Sequence, residues 1–171
     1  MRLRLLLAPL VAVALLAAVA IASPAADAAT TKGCPASSLV VSVAEEPGGG
    51  AAGSIYYRIE LTNLSGKTCT VSGFPKVNAV DLKGRTIGAA AKQAAGKKAR
   101  PVKLEKGDTA LATLQIVDAL NYSPDECRPT WVAGVRVGVP GGAGSKVAPL
   151  AFLTCALASA KTLSVGPVTA G

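Results

Sequence analysis

Histidine is absent from the 171-residue chain. That absence excludes a Ser-His-Asp or Cys-His nucleophilic site, and with it histidine-ligated zinc and iron. Acidic residues are few, 10 against 18 Lys and Arg, so the formal net charge is +8. Aromatic residues make up only 4% of the chain: Tyr56, Tyr57, Phe74, Tyr122, Trp131 and Phe152. Cysteines are also few, and Cys34, Cys69, Cys127 and Cys155 stand tens of residues apart, not in the close pairs that hold a structural zinc. No phosphate-cradling P-loop is present. Neither a metal nor a cofactor is expected.

What the chain does have begins at its amino terminus. Arg2 and Arg4 precede an apolar run from Leu5 to Ala22, and small residues follow from Ser23 to Ala28. This order is that of a secretory signal peptide over residues 1–28, cut after Ala28, with an uncleaved anchor as the rival reading. Cys34 follows Thr31, Lys32 and Gly33, which is not the leucine-rich box of a lipoprotein. An exported chain whose four cysteines all follow the cut predicts two disulfides. Three connectivities are open, and nearest-neighbour pairing, Cys34 with Cys69 and Cys127 with Cys155, is the expectation. Residues 29–37 are expected to form a flexible tail and residues 38–171 a single domain, large enough to bury its own core.

From Ser38 onward the apolar pattern has period two. Ile55, Tyr57, Ile59 and Leu61 alternate with Tyr56, Arg58, Glu60 and Thr62, which predicts a strand with one buried face. Ala110, Ala112, Leu114 and Ile116 alternate less cleanly with Leu111, Thr113, Gln115 and Val117, a run expected to be buried on both faces. Further strands are expected at 39–43, 68–71, 77–82, 102–104, 132–139, 150–154 and 162–165. Turn residues separate them at 47–50, 63–66, 83–84, 106–108, 123–125 and 140–144. The alanine-rich stretch 89–95 reads as a long loop or one helical turn. Eight to nine short strands predict an all-β, two-sheet antiparallel β-sandwich, immunoglobulin-like, with two disulfides.

The stretch Asn63-Leu64-Ser65-Gly66-Lys67-Thr68-Cys69, followed by Gly73-Phe74-Pro75, resembles the signature of a family of secreted actinobacterial proteins known as domain of unknown function 4232. The matching features run from Cys34 to Val168 and include Ala51-Ala52-Gly53, Leu104 to Gly107, Cys127, Val139-Pro140 and Cys155. The resemblance implies an exported β-sandwich and brings no known activity. Where the family often places a Trp, this chain has Val117. The motif also has a physical reading of its own, because Asn63 to Gly66 are turn formers, Gly73 permits positive φ and Pro75 fixes φ. Asn63-Leu64-Ser65 has the pattern of a glycan acceptor, which occurs often by chance.

Three functional readings follow. The first is a secreted or cell-wall-associated, noncatalytic interaction module. A secreted enzyme inhibitor is the alternative, although no distinctive reactive loop is visible. The last is a hydrolase using two carboxylates from Glu45, Glu46, Glu60, Asp81, Asp118, Asp125 and Glu126, which sequence cannot bring together. Trp131 and Phe152, in apolar strand contexts, are expected in the core, and Tyr56 and Tyr122 at the surface. The segment from Lys92 to Lys106 holds Lys92, Lys97, Lys98, Arg100, Lys103 and Lys106 against the single acid Glu105. Such a run is commonly a solvated loop that aids solubility. Its sharper reading is contact with anionic cell-wall polymer or lipid head groups; nucleic acid is disfavoured because the segment has no aromatic for base stacking.

Overall fold

The computed structural model describes residues 31–51 and 53–171, so the expected signal peptide lies outside the described residues. Among the described residues the strands are β1 (Leu39–Ala51), β2 (Ser54–Asn63), β3 (Cys69–Val71), β4 (Lys76–Val80), β5 (Thr86–Ile87), β6 (Lys92–Gln93), β7 (Val102–Leu104), β8 (Thr109–Val117), β9 (Pro129–Gly138), β10 (Ser145–Cys155), β11 (Leu163–Val165) and β12 (Thr169–Ala170). One sheet has the order β1-β2-β8-β11-β6, with β12 also on β8, and the other has the order β10-β9-β4-β5. β3 and β7 form a separate pair. The two-sheet sandwich is therefore present. It has more strands than expected because β5, β6 and β12 are two residues each, too short for alternation to show.

The long strands follow their side-chain pattern, except that Ile55, near the start of β2 and opposite the irregularity in β1, is 44% exposed instead of buried. Tyr57, Ile59 and Leu61 of β2 and Ala110, Ala112, Leu114 and Ile116 of β8 are buried in one cluster with Val77, Ala79, Val135, Val137, Ala148 and Phe152 of the other sheet. Arg58 and Glu60 lie on the opposite face of β2 at intermediate exposure. β8 differs from expectation: Thr113 is exposed and Leu111, Gln115 and Val117 are half-buried, so one face is core and the other is the outside of the sheet.

Three local expectations are corrected by turn chemistry acting inside elements. The residues Pro47 to Gly50 do not end β1. The register passes from Glu45↔Tyr57 to Gly50↔Ile55, so the extra residues loop out as an irregularity and the strand continues. The stretch 89–95 contains β6, which runs parallel to β11 with Lys92 opposite Ser164, whereas the other strand pairs among the described residues are antiparallel. The 123–125 turn becomes a short helix α1 (Pro124–Cys127), with proline at its start and Arg128 in the left-handed region at its end. Fixed chain also begins ahead of Ser38, inside the expected tail. Gly33 bridges Thr70, Pro35 bridges Ala143, and the Ala36 N–H donates to Ala143 O at 2.8 Å.

Trp131 is the largest departure. Its apolar strand context places it in the core, but it is 70% exposed. Counting back along β9 from the buried Val137 and Val135, simple alternation would turn Trp131 inward. The β9–β10 register shifts between Pro149 and Phe152, however, so that Val132 pairs with Phe152 and enters the core in its place. A bulge of this kind re-aims the side chains beyond it. Phe152 is buried as expected.

The Asn63–Pro75 motif is a turn held by one buried amide. The Asn63 side chain is fully buried and donates to Lys67 O at 2.9 Å and Leu104 O at 3.0 Å, while its Oδ1 accepts from Ser65 N and Ser65 Oγ. Both amide protons are used inside the fold, which leaves no room for a glycan. Gly73 has φ 104° and its carbonyl accepts from Val168 N, so the positive φ that glycine permits ties this turn to the last strands. Disulfides join Cys34 to Cys69 and Cys127 to Cys155, bracing the start of the domain against β3 and α1 against β10. Among the described residues no helix is long and apolar enough to cross a membrane.

Candidate functional site

The polar phase of β2 and β8 forms the floor of a groove of about 500 Å³ on the outer face of the larger sheet. Tyr56 pairs with Gln115 and Arg58 with Thr113 across the two strands, which places an aromatic, a guanidinium, an amide and a hydroxyl side by side. Gln115 is fixed at both ends, donating to Ser54 Oγ at 3.1 Å and accepting from Ser164 Oγ at 3.0 Å. Arg58 is held by Glu60, with Nε 2.9 Å from Oε1, and stands 3.8 Å from Glu46. Lys97 closes the rim.

A second groove of about 540 Å³ is lined by Lys98, Arg100 and Lys103, and Thr169 lines both grooves. The fold brings these cations together because β6 is pinned to β11 and β7 to β3, leaving the chain between them to arch over β12. Lys103 Nζ donates to Glu105 at 2.8 Å, and that carboxylate holds the ammonium above the usual lysine range. The pair is well exposed, so it is screened and leaves Lys103 available to a stronger anion. Of the six basic residues singled out from sequence, Lys97, Lys98, Arg100 and Lys103 line these two grooves. Lys92, on β6, and Lys106, in the turn after β7, are exposed and line neither. Arg58 was missed as a partner. Its signal was its place on the polar phase of β2, but nothing in sequence shows that residues 97–103 fold beside it.

The acids are distributed differently. Glu46 and Glu60 meet on Arg58. Hydrogen bonds from Arg58, then from Ser42, hold the Glu60 carboxyl below its ordinary range. Asp81 is lowered chiefly by the Arg85 backbone N–H, and it anchors the hairpin between β4 and β5. Asp118 caps the turn at 119–121 by accepting from Leu120 N at 2.9 Å. Glu126 accepts from Ser123 Oγ. Among the described residues no three metal-ligating side chains gather. Tyr122 is half-buried against the small cluster around Cys127 and Cys155.

The fold and this surface define a disulfide-braced β-sandwich domain with cations gathered along adjoining grooves. The chain belongs to the family described as Domain of unknown function (DUF4232), whose model matches residues 34–169. The match takes in both disulfides and every residue named on the two grooves. No curated protein and no solved structure matches the chain.

Proposed function

We propose that the domain is a noncatalytic, exported interaction module that attaches to anionic cell-wall polymer through its two adjoining grooves. The observation that carries this reading is the charge balance: Arg58, Lys97, Lys98, Arg100 and Lys103 line the grooves with Glu46, and the acids that pair with Arg58 and Lys103 from outside the lining, Glu60 and Glu105, still leave the cations in excess. Clefts lined by one sign of charge concentrate counter-ions and ligands of the opposite sign. Concave cations suit an extended chain of repeating anions better than a flat bilayer. Arg58 supports the reading because Glu60 holds it through Nε at 2.9 Å in the lining of the groove, and a guanidinium has the fork geometry that suits carboxylate and phosphate. Export is supported by the amino-terminal pattern and by two disulfides, which persist in oxidising compartments.

A noncatalytic role is supported by the state of the acids. A glycosidase-type pair needs one carboxyl that keeps its proton, and at Glu60 the surroundings favour the ionised form. The test is binding of the purified protein to soluble polyglycerol phosphate and to polygalacturonate, with anionic and neutral phospholipid vesicles as the comparison, from low to physiological salt. The proposal expects polymer binding that weakens steeply with salt, since exposed charges are screened beyond about 8 to 10 Å. Binding to anionic vesicles alone, or no binding to either polymer at low salt, would overturn it.

A further inference from the structure

A second, chemically different surface extends from the smaller sheet to the ends of β2 and β8 in the larger one and shares no residue with the basic grooves. Trp131 stands between two grooves of about 440 and 500 Å³ that both include it. One is walled by Ile55, Tyr57 and Phe152, the other by Leu82, which is 94% exposed at the tip of the β4–β5 hairpin. Leaving the one tryptophan of the chain in water forgoes the burial of the largest apolar side chain available. The exposure coincides with the register shift between β9 and β10, across which β9 inverts its phase and places Val132 instead of Trp131 in the core. Aromatic anchors flanked by pockets are where interface binding energy concentrates.

The rim decides the class of occupant. A saccharide would bring many hydroxyls that must exchange water for protein partners, and few are free. Asp81 already accepts from Lys83 N, Arg85 N and Arg85 Nε, Ser54 Oγ from Gln115, and Asp118 Oδ1 from Leu120 N. A hydroxyl desolvated there without a partner costs about 1–3 kcal/mol. A second copy is opposed by the charge of +8 that each molecule carries. An apolar side chain in each groove has no such cost, and exposed Lys83 beside Leu82 offers a partner to an acid next to it.

We infer that Trp131 and Leu82 form a docking surface for a polypeptide segment that presents two apolar side chains astride the indole, with an acidic residue beside Lys83. The experiment selects random dodecapeptides displayed on phage against the protein with both disulfides formed, counter-selecting on Trp131→Ser. Selected peptides are synthesised and titrated against the emission of Trp131. The expected result is enrichment of apolar pairs flanked by Asp or Glu, a saturable blue shift, and affinity weaker by about tenfold or more in Leu82→Ser, which keeps the indole in place. Lys83→Glu should turn the preference from acidic to basic flanks. Chito-oligosaccharides and sedimentation of the protein alone complete the test. Enrichment no better than on Trp131→Ser, a shift with oligosaccharide instead of peptide, or concentration-dependent self-association accompanied by the blue shift would each overturn the inference.

Discussion

Asn63→Ala should be among the most damaging single substitutions outside the apolar core. The side chain is fully buried and makes four hydrogen bonds, of which the one to Leu104 O is itself buried. The Lys67 and Ser65 groups lie near the surface, where water can replace the lost partner. The bond to Leu104 O is buried, and losing it where water cannot replace it costs about 1–3 kcal/mol. With the small cavity added, the expected loss is about 2–3 kcal/mol, a large share of the roughly 5–15 kcal/mol that holds a domain folded. Asn63→Asp keeps the shape but turns an oxygen toward Leu104 O and Lys67 O, so the folded state favours the protonated acid and its pKa rises above the unfolded value of about 3.9. A raised carboxyl loses stability as pH climbs from the unfolded pKa toward the folded one, and the loss levels off above that. Urea unfolding near pH 4 and at pH 7, followed by far-UV circular dichroism because Trp131 is already exposed, measures both effects. A cost for Asn63→Ala below about 0.5 kcal/mol, or Asn63→Asp following the wild-type pH profile, would refute the reasoning.

Two further outcomes follow from the bonds described. Replacing both cysteines of either pair with serine opens a loop of 35 or 28 residues, and chain entropy assigns each closure about 3.5–4 kcal/mol; urea titration of the two double variants checks this, and losses under about 1 kcal/mol would contradict it. Glu60 is lowered by Arg58 and Ser42, so it adds stability above its unfolded pKa, near 4.5, that is lost as pH falls through the lower folded value. Glu60→Gln should therefore flatten the acid limb of the stability profile, and an unchanged limb would show that the Arg58 contact contributes nothing.

How far sequence reached can be followed residue by residue. Alternation found β2 and its buried face from Tyr57 to Leu61, where both neighbours pair in unbroken register, but not Ile55, which is 44% exposed opposite the residues that loop out of β1. The same rule failed at Trp131, because β9 inverts its phase at Gly134 and Val135, two consecutive buried residues, where its register with β10 shifts. Pro47 to Gly50 read as a turn because glycine and proline mark any chain reversal, including one that occurs inside a strand. The basic run 92–106 was legible as charge. Its division into four groove-lining and two outlying cations was not, since that depends on β6 and β7 pairing with strands far away in sequence. Arg58 joins them only through the same long-range pairing.

The most direct test of the wall-attachment account is a comparison of two charge-matched triple variants. Lys97→Ser, Lys98→Ser and Arg100→Ser remove three cations from the grooves, whereas Lys76→Ser, Lys146→Ser and Lys161→Ser remove three exposed cations that line neither groove. Retention of each variant and of the wild type on isolated cell walls is measured as salt rises. The account predicts that the groove variant elutes at markedly lower salt while the distant variant stays close to wild type, with thermal stability unchanged in both. Equal losses in the two variants would show that net charge alone governs retention and would contradict a site at the grooves.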